Sequence, residues 1–455
     1  MKRTKDRMAL TPPMGWNSWD CYMSAVTEEE LLSNARYQAE KLLPFGWEYV
    51  VCDIQWYEPS AGTRTGCEYI PFAKLSMDEY GRLLPAENRF PSAAGGKGFA
   101  PIAAQIHAMG MKFGIHIMRG VPRQAVYART PIRGTDATAD QIAVPNSICE
   151  WNGDMFGTRA DCPAAQAYYD SLLELYAAWG VDYIKVDDIA RTGSASAPTY
   201  AAPHEIEMLR RAIDRSGRSI VLSLSPGPAP VEKAWHLAQN ANMWRITDDF
   251  WDDWQMLKNM FVRCEIWQTH VAPGCWPDCD MLPLGRIGVK FGRGHRTCFT
   301  PAEQKTMLTL WSIFRSPLML GAELPSLDEA TLALLLWSIF RSPLMLGAEL
   351  PSLDEATLAL LTNRDVLRLN RHSFGARQIA RDDAHAVWVS RDEDGSRYAA
   401  LFNLSDAPRA VGLELAELEG DAFDCRELWT GETLRAQGTL QCEIEPHGAK
   451  LFKLK

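Results

Sequence analysis

The chain has 455 residues, of which 47% are apolar and 23% charged, with a formal net charge of −10. This length exceeds one ordinary core and suits a barrel of about 250–400 residues joined to a smaller domain. The acidic balance without a long basic run excludes a nucleic-acid surface, and the absence of a run of ~18 apolar residues excludes a transmembrane helix.

The basic first residues have no apolar segment behind them, so no secretory signal is read there. Thr27 to Leu43 has a Thr cap, early glutamates and one apolar stripe of Leu31, Ala35, Ala39 and Leu42, which predicts an amphipathic helix. The apolar run Tyr49 to Trp56 (YVVCDIQW) predicts a buried strand. Ala103 to Met109 reads as a helix and Lys112 to Ile117 (KFGIHI) as the next strand. Pro163 opens a helix with Tyr168, Leu172, Leu175 and Trp179 on its apolar face, and Gly180 closes it. Strands follow at Tyr183 to Asp188 (YIKVDD), Ser219 to Ser225 (SIVLSLS) and Met243 to Asp249 (MWRITDD). Repeated strand–helix units imply a parallel sheet with right-handed crossovers, and their number favours a closed (β/α)8 TIM barrel. No GxGxxG follows a strand, which speaks against dinucleotide binding.

Residues 8–370 are read as the barrel and 371–455 as a C-terminal antiparallel β-sandwich with no chemistry of its own, built from short runs such as VWVSR, YAALFNL and KLFKLK. One segment, LWSIFRSPLMLGAELPSLDEATLALL, occurs twice without change, at 310–335 and 336–361. A barrel has room for one eighth strand, so one copy should supply it and the other should be an insertion. The eleven cysteines are scattered and odd in number, as in a cytoplasmic protein with reduced thiols. Cys275 and Cys279 lack a second Cys/His pair with zinc spacing, so no metal site is read there.

Alternation along a strand puts i, i+2 and i+4 on one side, and barrel enzymes place their chemistry at the C-terminal strand ends. By this rule Asp53 and Gln55 share a face with Val51, His116 with Gly114, Asp187 with Lys185, Ser225 with Ser223, and Asp249 with Arg245 and Thr247, while Asp188 points away. Polar groups thus gather at five strand ends. Two carboxyls are the requirement of glycoside cleavage, one ionised and one holding a proton. Lys185 beside Asp187 favours ionisation there, and the acidic neighbours Asp248, Asp252 and Asp253 favour protonation of Asp249. A solvated acidic helix start is the alternative reading of that cluster.

The motifs TPPMGWNSWD, YVVCDIQW, GRLLPAENRFPS, GMKFGIH, WGVDYIKVDD, MWRITDDFWDDW and WPDCDMLPLG occur in an order that resembles glycoside hydrolase family 27, over about residues 10 to 370. That family contains α-galactosidases and α-N-acetylgalactosaminidases. The resemblance implies a (β/α)8 barrel, a retaining mechanism, Asp187 as nucleophile and Asp249 as acid/base. It further implies sugar contacts from Trp19, Asp53, Lys185 and Arg245, with His116 where the family often has Tyr, and no cofactor. Two departures bear on specificity. Many family α-galactosidases carry two adjacent aspartates at the second strand, gripping the 4- and 6-hydroxyls, whereas here Ile54 follows Asp53. At the fifth strand Ser225 stands where α-galactosidases tend to have Glu, which resembles the N-acetylgalactosaminidase version.

The expected activity is therefore exo-hydrolysis of a terminal α-linked galactose from an oligosaccharide or glycoside, with no membrane or nucleic-acid partner and with self-association left open. The alternatives are an α-N-acetylgalactosaminidase, a β-L-arabinopyranosidase-like enzyme, a non-catalytic sugar-binding protein, and a metal-dependent enzyme using Asp53, Asp187 and Asp249 as ligands.

Overall fold

The computed structural model describes residues 4–63, 69–191, 200, 202–326, 369 and 372–455. Strands and helices alternate through its first part: β1 (Met14–Asn17), α1 (Glu28–Lys41), β2 (Tyr49–Cys52), α2 (Ala100–Ala108), β3 (Lys112–Met118), α3 (Pro163–Trp179), β4 (Tyr183–Asp187), α4 (Pro203–Ser216), β5 (Val221–Leu224), α5 (Ala234–Asn240), β6 (Met243–Arg245), α6 (Trp254–Trp267), β7 (Trp276–Asp278), α7 (Pro301–Phe314) and β8 (Leu318–Leu320). The eight strands form one parallel sheet in the order β7-β6-β5-β4-β3-β2-β1-β8. Just past β7, Leu282 bridges in parallel to Leu320 of β8, and its amide donates to the Met319 carbonyl at 2.6 Å. That bridge joins the two ends of the sheet and makes it a barrel, as expected.

Local chemistry sets the element ends. The α1 amides are closed by a capping box, Thr27 accepting from Glu30 while the Glu30 side chain accepts from the Thr27 amide. Helix α3 has Pro163 in its first turn, where a missing N–H costs nothing, and stops at Gly180 with φ +84°, a conformation glycine adopts without strain. The first copy of the duplicated segment completes α7 and supplies β8. At its end Gly321 lies so close to Asp20 that a Cβ there would sit 2.0 Å from the carboxylate. The second copy, 336–361, lies outside the described residues.

From Ser373 an eight-stranded antiparallel sheet follows: β9 (Ser373–Arg381), β10 (His385–Asp392), β11 (Arg397–Asn403), β12 (Arg409–Glu414), β13 (Ala422–Glu427), β14 (Thr433–Gln437), β15 (Thr439–Ile444) and β16 (Ala449–Leu454). One set of its side chains, including Val387, Leu401, Leu413 and Phe452, forms a core of its own. The alternate set, including Trp388, Tyr398 and Phe402, joins the barrel core. Phe402 meets Phe261 of α6 edge-on at 4.9 Å, and Phe314 of α7 meets Trp388 at 6.2 Å.

Candidate active site

Parity along the barrel strands sorts apolar from polar by height. Tyr49 and Val51 on β2, Tyr183 on β4, Val221 on β5, Met243 on β6 and Trp276 on β7 make one buried cluster. Two or four residues further on, the same parity reaches Asp53, Lys185 and Asp187, Ser223 and Ser225, Arg245, and Asp278 and Asp280. A barrel interior filled only for packing would carry branched apolar residues to the top.

Asp187 and Asp249 line one cavity of about 120 Å³, together with Trp19, Asp53 and Lys185. Asp187, at the end of β4, is buried, and its Oδ2 lies 3.1 Å from His116 Nε2. Its Oδ1 accepts from the Asp188 amide at 3.0 Å. Burial acts against ionisation here. The hydrogen bond from His116, the charge that ring carries when protonated, Lys185 and the Asp188 amide together outweigh it, and the carboxyl is held well below the usual carboxylate range. Asp188 turns away, as expected: its φ is +56°, and its carboxylate pairs with buried Arg119 at 2.8 Å. Arg119 in turn meets Glu205 at 2.9 Å, and its amide donates to the Asp187 carbonyl.

Asp53 sits one residue past β2 and is fully enclosed. It accepts from Lys185 Nζ at 3.0 Å and Asn17 Nδ2 at 2.7 Å on one oxygen, and from the Ile54 amide at 2.8 Å on the other. Burial opposes its charge, and Lys185, His116 and these donors lower its pKa nonetheless. Gln55 departs from strand parity: its φ of +63° turns the chain, and its amide reaches Asp154 at 2.8 Å, while Ile54 faces the cavity.

Asp249 is the exposed member of the pair, 58% open to solvent. Its environment differs from the one expected. Its Oδ1 accepts from Arg245 at 3.1 Å, so a cation stands beside it, and its amide donates to Asp248. Asp253 is the cap of α6, accepting from the Met256 amide at 2.9 Å, and Asp252 accepts from the Cys298 amide. The bland reading of the acidic run thus holds for Asp253, while Asp249 faces the cavity. Arg245 also pairs with buried Asp280 at 2.8 Å, which accepts from the Phe250 amide on its other oxygen. Burial, Asp249 and Asp278 push the Asp280 carboxyl up to about 7 against the pull of Arg245.

Of the other residues expected in the site, His116 lies behind Asp187 and is wholly buried. Ser225 and Arg245 line a second, smaller space of about 20 Å³ deeper in the barrel, which Lys185 shares. Pro226 and Asp248 also line the outer cavity, as do Tyr69 and Trp151, which the sequence reading does not single out. Among the described residues, the group with potential metal-ligand atoms gathered within 4.8 Å is Asp252, His295 and Cys298; Asp53, Asp187 and Asp249 do not form one. No described helix is long and apolar enough to cross a membrane.

Residues 152–336 match the family model described as alpha galactosidase A, and residues 382–454 match alpha galactosidase C-terminal beta sandwich domain. The chain is also 50% identical to a GH27 β-L-arabinopyranosidase from Geobacillus stearothermophilus, with a TM-score of 0.89 over 100% of this chain and 98% of that one. The chain belongs to glycoside hydrolase family 27. A variant of the Geobacillus enzyme, equally similar, is in complex with arabinose. A Bacillus halodurans C-125 protein with α-N-acetylgalactosaminidase as its suggested activity is 47% identical, with a TM-score of 0.81 over 98% of each chain. Alpha-galactosidase 2 of Arabidopsis thaliana is 23% identical over 98% of this chain and 90% of its own. As a family 27 member the chain is a glycoside hydrolase and its substrate is a carbohydrate.

The two carboxylates have opposite settings. One is buried, ionised and braced from behind. The other stands at the mouth beside a guanidinium. The inner wall residues Asp278 and Asp280 are within reach of the sequence: Trp276, Asp278 and Asp280 alternate like the other strand ends, but WPDCD enters the sequence reading only through its cysteine and as a family motif. Tyr69 and Trp151 carried no such signal, because loops far apart in sequence deliver them.

Proposed function

We propose that this glycoside hydrolase removes terminal galactose-configured pyranosides by a retaining double displacement, with Asp187 as nucleophile and Asp249 as acid/base. The observation that carries the reading is the meeting of these two carboxylates in one small cavity, with the buried one held ionised. Asp187 attacks the anomeric carbon while Asp249 protonates the departing oxygen. Asp249 then takes a proton from water as it cleaves the glycosyl ester. Lys185 and Asp53 form a polar wall for ring hydroxyls.

α-D-Galactopyranose and β-L-arabinopyranose share ring configuration and differ by the exocyclic hydroxymethyl group. Both fit the proposal, and Ile54 in the cavity wall shifts preference toward the pentose, because an apolar side chain there leaves a 6-hydroxyl without a partner. The 50% identity to an arabinopyranosidase supports the same direction. The sequence-based expectation of cytoplasmic residence belongs to this proposal.

The test is a panel of 4-nitrophenyl α-D-galactoside, β-L-arabinopyranoside and N-acetyl-α-D-galactosaminide. The first two should be hydrolysed, and Ile54→Asp should raise the galactoside-to-arabinopyranoside ratio about tenfold. NMR of the first-formed sugar should show the substrate's anomeric configuration; the opposite anomer rejects the mechanism.

A further inference from the structure

A larger space adjoins the catalytic cavity. A groove of about 980 Å³ runs from it across the loops after β2 and β3, a volume at the upper end of the ~300–1,000 Å³ typical of ligand sites. Tyr69 and Trp151 line both spaces. Aromatic rings mark the passage from one to the other: Trp19 stacks on Tyr69 with centroids 6.2 Å apart, and Tyr69 meets Trp151 at 5.5 Å.

Beyond them the groove presents rings that folding leaves uncovered. Phe72 is 84% exposed, Tyr127 73% and Trp151 39%. The Arg123 guanidinium lies 5.0 Å from the Phe72 ring centre and 5.4 Å from that of Phe156, and Tyr127 packs edge-on against Phe156. Arg123 is anchored by a 2.8 Å bond to the Gly153 carbonyl, so these rings stand on a braced floor. The Phe72 backbone has φ +57°, a conformation a bulky residue adopts at a cost, and its ring buries little in return. The opposite wall includes Arg293, from the segment whose His295 and Cys298 contact Asp252, three residues after Asp249. The groove therefore reaches the acid/base side of the cavity, where a leaving group departs.

We propose that this groove holds the leaving-group side of the substrate as a chain of further pyranose units, stacked on Trp151, Phe72 and Tyr127. The proposal rests on the glycosidase reading of the cavity. A pyranose has apolar C–H faces and a rim of hydroxyls. The groove offers the matching alternation, aromatic faces beside the polar side chains of Arg123, Glu150 and Asn152. A purely apolar aglycone would leave these polar groups unmatched.

The experiment compares kcat/KM for a 4-nitrophenyl glycoside with that for galactosyl-mannotriose, in the wild type and in Phe72→Ala, Tyr127→Ala and the double variant. The double variant should keep its rate on the nitrophenyl substrate and lose about tenfold on the oligosaccharide, mainly in KM. Mannotriose alone should inhibit the wild type and not the double variant. Equal losses on both substrates, or no loss on either, overturn the proposal, as does dissociation of an oligomer in the variants with selectivity unchanged. If the wild type hydrolyses no 4-nitrophenyl glycoside, it is the reading of the catalytic cavity that fails.

Discussion

The barrel mouth and the C-terminal sheet treat charge in opposite ways. At the mouth Asp53, Asp187, Arg245 and Asp280 are all buried and bound to one another's neighbours. On the sheet, Arg435–Asp424, Arg391–Glu419 and Arg377–Glu417 are exposed pairs. Strand β12 shows the sheet's pattern, with Val411 and Leu413 buried between exposed neighbours. Enclosed ion pairs often stabilise less than apolar residues of the same shape would. Burial of several charges around one cavity therefore needs a reason beyond stability, and the proposed chemistry supplies one. The sheet has enclosed polar groups as well, among them Lys453 with Asp394 at 3.1 Å, Tyr398 with Asp392 at 2.8 Å, and Glu427, which accepts from the Leu451 amide at 3.0 Å, and none of these lines the catalytic cavity or the groove beside it.

This contrast is open to test. The largest effect belongs to the mouth: Asp187→Asn and Asp249→Asn should each lower kcat by at least ~10³-fold with the melting temperature little changed. Azide should partly restore one of the corresponding alanine variants. Asp424→Asn on the sheet should leave kcat unaltered, and a similar loss there would erase the distinction. Next comes Leu401→Ala in the sheet's core, which should cost about 2–5 kcal/mol in urea unfolding while kcat per folded molecule stays constant.

A smaller effect concerns Asp280. Its folded pKa of about 7 lies above the ordinary carboxyl value of 3.8, so between those values the folded chain holds a proton that the unfolded chain releases. That contribution is complete below the unfolded value and is lost as pH rises through 7. Asp280→Asn should flatten the fall in stability across that window, seen as melting temperature against pH; an unchanged slope rejects the assignment. The smallest change is expected for Arg435→Ala, under about 1 kcal/mol, since an exposed pair is screened by solvent and salt.

Much of the site was legible because a strand writes its inward face at every second residue. Asp53, Lys185, Asp187 and Arg245 come directly from that rule. Gln55 broke it, because a left-handed turn follows Ile54 and sends its side chain to Asp154 instead. The neighbours of Asp249 also defied a linear reading. Proximity in sequence suggested a carboxylate cluster, whereas the helix start points Asp253 into its own cap and leaves Asp249 against Arg245.

The sequence by itself determined the alternation of strands and helices, the polar strand ends and the pair of aspartates, because these depend on periodicity and local caps. It could not decide which copy of the duplicated segment enters the barrel, since the two are identical letter for letter. Tertiary structure decided that, through the pairing of Leu318–Leu320 with β1 and the bridge to Leu282. It also decided the setting of the carboxylates and the aromatic passage through Trp19, Tyr69 and Trp151. Burial and electrostatic fields are sums over groups that only the closed barrel brings together.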